Sequence, residues 1–202
     1  ATDVLGFSEI ENLTGGTGVD TFNIRTSGTL SGDITGGDGI DKITQEDGDN
    51  DWDITAADAG DVTDIGSFSG IENLTGGGAV DTFNIGTLGT LSGNIDGGVA
   101  TDEITQEDGI NTWNITLLNA GNVTDIAGTF SSIENLSGGT GDDTFNIGID
   151  GELSFAIDGG TGNDEIIQAD GPNIWVITLA DVGNVTDING GFVDIENLTG
   201  GS

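Results

Sequence analysis

Nine positions spaced 20 or 21 residues apart carry only Asp or Asn: Asp20, Asp41, Asp61, Asp81, Asp102, Asn122, Asp143, Asp164 and Asn184. Seven of the nine are acidic, so a fold that stacks them builds a row of carboxylates. Two such charges ~4.8 Å apart repel by about 0.9 kcal/mol in water and ~3.5 kcal/mol at an effective dielectric of 20. The row therefore needs bound cations, hydration or shifted protonation. The chain has no Cys and no His. Oxygen-only ligands select hard cations, Ca2+ above all. Asp38, in the same glycine turn as Asp41, joins the candidate ligand set. The competing reading is that each Asp or Asn caps its own turn through an Asx hydrogen bond and leaves a hydrated ladder. A second acidic cluster, Asp47, Asp49 and Asp51, lacks its full counterparts after Asp108 and Asp170, and reads as a solvated turn.

Each of these residues sits seven positions after an apolar anchor. The anchors are Leu13, Ile34, Ile54, Leu74, Ile95, Ile115, Leu136, Ile157, Ile177 and Leu198, again 20 or 21 apart. A larger period groups them in threes. The tetrapeptide Ile-Glu-Asn-Leu at Ile10 returns at Ile71, Ile133 and Ile195, with steps 71 − 10 = 61, 133 − 71 = 62 and 195 − 133 = 62. The boundaries are 1–9 for a partial repeat, 10–70, 71–132 and 133–194 for three units, and 195–202 for the start of another. A segment of 20 residues is too short for a helical hairpin repeat, which needs roughly 33. Alternation such as Thr21-Phe22-Asn23-Ile24, punctuated by Gly, Asn and Asp, spells short strands. Strands that stack on their equivalents one coil later form parallel sheets. The expected fold is all-β, a right-handed parallel β-solenoid (β-helix or β-roll) of about ten coils, with like coils recurring every ~14 Å.

Within a unit the first segment carries a glycine pair and Phe22, Phe83 or Phe145. The second carries a glycine pair and ends in an Asp-Gly turn, as at Asp108-Gly109. The third opens on Trp52, Trp113 or Trp175 and lacks the glycines. Both aromatic sets fall on the inward phase and read as core. Thr14, Thr35, Thr55, Thr75, Thr116, Thr178 and Thr199 read as one outward column. Glu11, Glu72, Glu134 and Glu196 pose a choice. Strict alternation turns them inward, where an unpaired carboxylate is costly, and a local bulge turns them out.

The hexapeptides GGTGVD from Gly15, GGDGID from Gly36, GGTGDD from Gly138 and GGTGND from Gly159 resemble the GGxGxDxUx nonapeptide of RTX proteins, whose parallel β-roll binds Ca2+ in its turns. The resemblance implies Ca2+ held between neighbouring coils by glycine-turn carbonyls and by Asp20, Asp41, Asp81, Asp102, Asp143 and Asp164. It also implies secretion and calcium-coupled folding. The match is one-edged: the motif returns only after 21 residues, and every third segment lacks it. The whole pattern is similar to the repeats of giant bacterial surface adhesins and other β-strand-repeat proteins.

Thirty-six acidic residues face two basic ones, for a formal charge of −34. Such a chain repels nucleic acid and anionic membranes and attracts cations. No membrane-length apolar run occurs. Catalysis is not expected, because the acids follow the period and nothing singles out one segment. The two basic residues, Arg25 and Lys42, stand only in the first unit. The expected function is a structural segment of a long extracellular bacterial protein, an adhesin stalk or filament. Its expected partners are further copies of the repeat, in the same chain or head to tail, and, through other domains, glycans or proteins of a host or matrix. The alternatives are a calcium-independent self-assembling fibre with an Asx turn ladder, and a carbohydrate-binding β-helix module. Thr2-Asp3-Val4 reads as a worn copy of the third-segment motif, which suggests repeats continuing beyond this stretch.

Overall fold

The computed structural model describes residues 9–46 and 48–201. They form no helix, and their strands make two long, mostly parallel sheets of 12 and 10 strands. The Thr2-Asp3-Val4 motif and Asp47 lie outside the described residues.

In the first unit, β1 (Leu13–Thr17) and β3 (Leu30–Asp38) belong to the larger sheet, while β2 (Thr21–Ile24) and β4 (Lys42–Gln45) belong to the smaller. The chain crosses between sheets at each glycine turn, and each crossing stacks a strand parallel on the one 21 residues earlier, Leu13 beside Ile34 and Phe22 beside Ile43. The third segment does something else. β5 (Asn50–Ala56), β6 (Ala59–Val62) and β7 (Ile65–Ser69) stay in the larger sheet as an antiparallel meander, and β7 then lies parallel to β3. Expecting Ile54 to sit over Ile34 is therefore wrong: Phe68 takes that place, and Ile54 lies beside Ile85.

The physical reason is turn chemistry. Without a glycine pair, the chain reverses at residues that tolerate the left-handed region through short polar side chains. Asp58, Asn119 and Asp181 have φ of 50°, 52° and 56°, and Asp64, Asp125 and Asp187 have φ of 67°, 68° and 74°. The signal was present as the recurrent Val-Thr-Asp-Ile at Val62, Val123 and Val185, two apolar residues around a two-residue turn.

A unit therefore contributes an odd number of strands, and the next unit begins in the opposite sheet. In the second unit β8 (Asn73–Gly77) and β10 (Ile95–Gly98) join the smaller sheet, and β9 (Asp81–Ile85) and β11 (Glu103–Gln106) the larger. Its meander, β12 (Thr112–Leu117), β13 (Ala120–Val123) and β14 (Phe130–Ser131), lies in the smaller sheet. The third unit swaps back: β15 (Asn135–Ser137) and β17 (Ala156–Asp158) are in the larger sheet, β16 (Thr144–Ile147) and β18 (Glu165–Gln168) in the smaller. The meander β19 (Trp175–Leu179), β20 (Val182–Val185) and β21 (Ile188–Val193) returns to the larger sheet, and β22 (Asn197–Thr199) closes the smaller. Equivalent residues alternate sides, so the threonines expected in one column are split: Thr14 and Thr35 are neighbours in the larger sheet, Thr75 lies in the smaller.

Both sheets contribute to one apolar cluster. Trp52 stacks on Phe83 at 5.5 Å and meets Phe68 edge-on at 6.3 Å, and Trp113 repeats this with Phe145 at 5.6 Å and Phe130 at 6.4 Å. The aromatic periodicity is core packing, as its phase suggests.

Candidate functional site

The spacing between the glycine pair and the aspartate is the feature through which the turns could act. The second glycine of each pair takes positive φ, 104° at Gly37 and 103° at Gly98, which lets the chain turn from one sheet to the other. The first glycine serves the aspartate five residues on. A Cβ built on Gly97 would lie 2.6 Å from Asp102 Oδ2 and 2.1 Å from the Ser132 carbonyl oxygen. On Gly76 it would lie 2.2 Å from Asp81 Oδ2 and 2.6 Å from the Gly97 carbonyl. The glycine leaves a socket into which a carboxyl folds back.

Asp41, Asp81, Asp102, Asp143 and Asp164 fill these sockets and are at most 1% exposed. Their Oδ1 atoms do not cap their own turns. They reach the preceding layer and accept its backbone N–H, from Asp20 to Asp41 (2.7 Å), Asp81 to Asp102 (2.8 Å), Asn111 to Asp143 (2.7 Å) and Asp143 to Asp164 (2.7 Å). Asp81 Oδ1 accepts both the N–H of Asn50 (3.1 Å) and its side-chain amide (2.7 Å).

The glutamates complete the columns. The N–H groups of Asp41, Asp102 and Asp164 donate to Oε2 of Glu72 (2.6 Å), Glu134 (2.8 Å) and Glu196 (2.7 Å). In return, the Asp41, Asp102 and Asp164 carbonyls each accept the N–H groups of that Glu and the following Asn. Each glutamate thus stands at the corner just before a strand, neither driven into the core nor set free by a bulge. Two complete columns read Asn50–Asp81–Asp102–Glu134 and Asn111–Asp143–Asp164–Glu196.

Of the remaining candidate ligands, Asp61 and Asp38 do not join, and Asp20 joins through its N–H to Asp41. Asp61 lies on the middle strand of the first meander, exposed and opposite Asp53, because the third segment is not a coil. Asp38 is exposed on β3, and Asp20 is half-buried with Oδ2 against Gly15. Of the second acidic cluster, Asp49 and Asp51 are exposed, in keeping with a solvated turn. Asp108, equally exposed, accepts hydroxyl hydrogen bonds from Thr87 and Thr140, which hold its carboxyl below the usual carboxylate range.

Electrostatically the columns are strained. Burial pushes Asp81, Asp102 and Asp143 up from 3.8 to about 6, and raises Asp164 as well. Hydrogen bonds from neighbouring layers pull the other way without cancelling it. The Oδ2 atoms of Asp41, Asp81, Asp102, Asp143 and Asp164 are sealed with no hydrogen-bond partner.

This donor set does not fit the ion that the RTX resemblance implies. One oxygen of each sealed carboxyl is taken by a backbone N–H and the other is folded under glycine. Among the described residues no three carboxylates come together in a group that could hold a metal.

Sequence reasoning missed a buried polar set. Gln45, Gln106 and Gln168 are at most 2% exposed and donate Nε2–H to the carbonyls of Thr63, Thr124 and Thr186 in the meander turns. The same threonines accept, through Oγ1, the N–H groups of Asp51, Thr112 and Ile174. The recurrent Gln after each Ile-Thr or Ile-Ile could have marked them.

Comparison with known proteins finds no matching family model, curated protein or solved structure.

Proposed function

We propose that this chain is a non-catalytic structural segment of a long extracellular bacterial protein, an adhesin stalk or surface filament, wound as a β-solenoid of two-sheet turns. The observation that carries the reading is the uniformity of the units: the same crossings and Asp columns recur on alternating sides, the Trp–Phe stack occurs twice, and among the described residues the buried carboxyls follow the period and do not gather in one unit. In this reading further copies of the repeat are its partners, along the chain or head to tail. Trp175 on edge strand β19 is only half-buried, whereas Trp52 and Trp113 are sealed under Phe83 and Phe145.

Of the two forms of this reading, the calcium-independent one is preferred, because the sealed carboxyls already have structural tasks. Circular dichroism and thermal melting in excess EDTA, then in millimolar Ca2+, test it. An unchanged β spectrum and melting midpoint support the self-sufficient fibre. Folding that appears only with Ca2+ reinstates calcium. A carbohydrate-binding module has one observation in its favour, an open groove of about 570 Å3 lined by Thr90, Ser92, Asp125 and their neighbours. No aromatic side chain lines it for a sugar to stack on.

A further inference from the structure

The sealed aspartates hold a contradiction that the hydrogen-bond columns do not resolve. A carboxylate oxygen buried without a donor is expensive. Yet Asp81, Asp102, Asp143 and Asp164 each present one, Oδ2, to a socket whose other occupant is also an acceptor. The points where the socket glycines' Cβ atoms would stand show this pairing. At Gly76 the two oxygens are Asp81 Oδ2 and the Gly97 carbonyl, and at Gly97 they are Asp102 Oδ2 and the Ser132 carbonyl. At Gly138 they are Asp143 Oδ2 and the Gly159 carbonyl, and at Gly159 they are Asp164 Oδ2 and the Asp194 carbonyl. In each socket an acid oxygen without a donor and a carbonyl oxygen thus lie within 3 Å of one point.

We propose that Asp81, Asp102, Asp143 and Asp164 are proton sites: in mildly acidic solution each takes up a proton on Oδ2 and donates it to the carbonyl sharing its socket, fastening adjacent layers. The proton comes from solvent, no other bond changes, and Oδ1 keeps its interlayer N–H.

The charged surroundings reinforce uptake. Asp81 faces Asp49 and the carboxyl of Asp102, and Asp102 faces Asp81, Glu134 and Asp96. Asp143 faces Asp164 and Asp142, and Asp164 faces Glu196, Asp142 and Asp158. The two basic residues, Arg25 and Lys42, belong to the first unit. The sign follows from burial. A folded-state value of about 6 for Asp81, Asp102 and Asp143 lies above the ordinary 3.8. Their stabilisation is therefore fully present below about pH 4 and is lost as pH rises through about 6.

The test is thermal melting of the full chain in EDTA at about pH 7.5 and about pH 5, for the wild type, Asp102→Asn, Asp143→Asn and the charge-matched control Asp61→Asn. Lower pH also relieves general repulsion, so the control carries the comparison. An amide at a proton site supplies the missing donor without a proton. Asp102→Asn and Asp143→Asn are expected to melt about 5 °C higher than Asp61→Asn near pH 7.5, and to gain less than it does on acidification. Should either melt at or below the control at both pH values, that proton site is refuted. Infrared spectroscopy gives a second reading without mutation. A neutral-carboxyl band at about pH 5.5, stronger in the folded chain than in the urea-unfolded chain, supports the proposal. Equal bands would overturn it.

Discussion

Asp102 and Asp61 occupy the same place in the 20-residue period and meet opposite fates. Asp102 follows a glycine pair, folds into the socket that Gly97 leaves, and ties its layer to the one before through the Asp81 N–H. Asp61 follows Ala56-Ala57, where no glycine pair turns the chain into the other sheet, and stands in solvent on the middle strand of a meander. Side-chain identity does not decide the role. The glycine five residues upstream does.

The sharpest way to break the comparison is to remove what joins the two regions. Trp113 lies on the first strand of its meander, stacks on Phe145 of the next winding segment and meets Phe130 of its own meander. It is wholly buried. Trp113→Ala is expected to cost about 4 kcal/mol, read by chemical denaturation, through lost burial and the cavity left behind. A cost near 1 kcal/mol would mean that the segments are stabilised separately.

Next comes the socket itself. Gly97→Ala places a methyl 2.1 Å from the Ser132 carbonyl, so backbone must move, and a loss of about 3 kcal/mol is expected. Gly109→Ala is the matched contrast. Its φ is 104° but nothing lies within 4 Å, so only conformational strain of about 1 kcal/mol applies. Equal losses for the two would remove the carboxyl socket from the explanation.

The winding segments were legible in the sequence because glycine pairs mark each crossing and alternation marks each strand. Trp52, Phe83, Trp113 and Phe145 fell on the inward phase, and their stacking followed. The meander was not legible, since alternation has the same period in parallel and antiparallel strands and so carries no direction. Its length also matched a coil, which concealed the reversals at Asp58 and Asp64. The same error placed Asp61 among the ligands. The glutamates were opaque for a different reason. Glu134 serves the N–H of Asp102, 32 residues earlier, across a whole meander, and no local pattern reports such a contact.

The alternation of sheets carries its own measurable consequence. Two successive units supply five and two strands to one sheet and two and five to the other, seven to each. At about 4.8 Å per strand, the proposed solenoid would advance ~17 Å per unit, for an expected axial repeat of ~34 Å over two units. Fibre diffraction of aligned material that gave ~14 Å would restore stacked coils and dismantle the meander.

The meander turns offer a smaller lever. Asn119 holds φ of 52°, accepts the N–H of Ser154 (2.8 Å) and donates to Glu134 Oε1 (2.7 Å). It therefore couples the turn to the glutamate that ends a column. Asn119→Gly keeps the backbone and loses those bonds, for an expected cost of about 1.5 kcal/mol. Asn119→Ala adds left-handed strain and should cost about 1 kcal/mol more.

The smallest expected effect is at Asp61 itself. Its carboxylate is exposed and stands opposite Asp53, so Asp61→Asn removes one mild like-charge contact. A gain of no more than about 0.5 kcal/mol is expected, fading as salt is added. Placing Gly at Ala56 and Ala57 is the stronger form of the same question. If a glycine pair were enough to create a socket, Asp61→Asn in that background would raise the melting point at about pH 7.5 as Asp102→Asn does. With the meander held by the Gln45 bond to the Thr63 carbonyl, the change should keep to the same small gain.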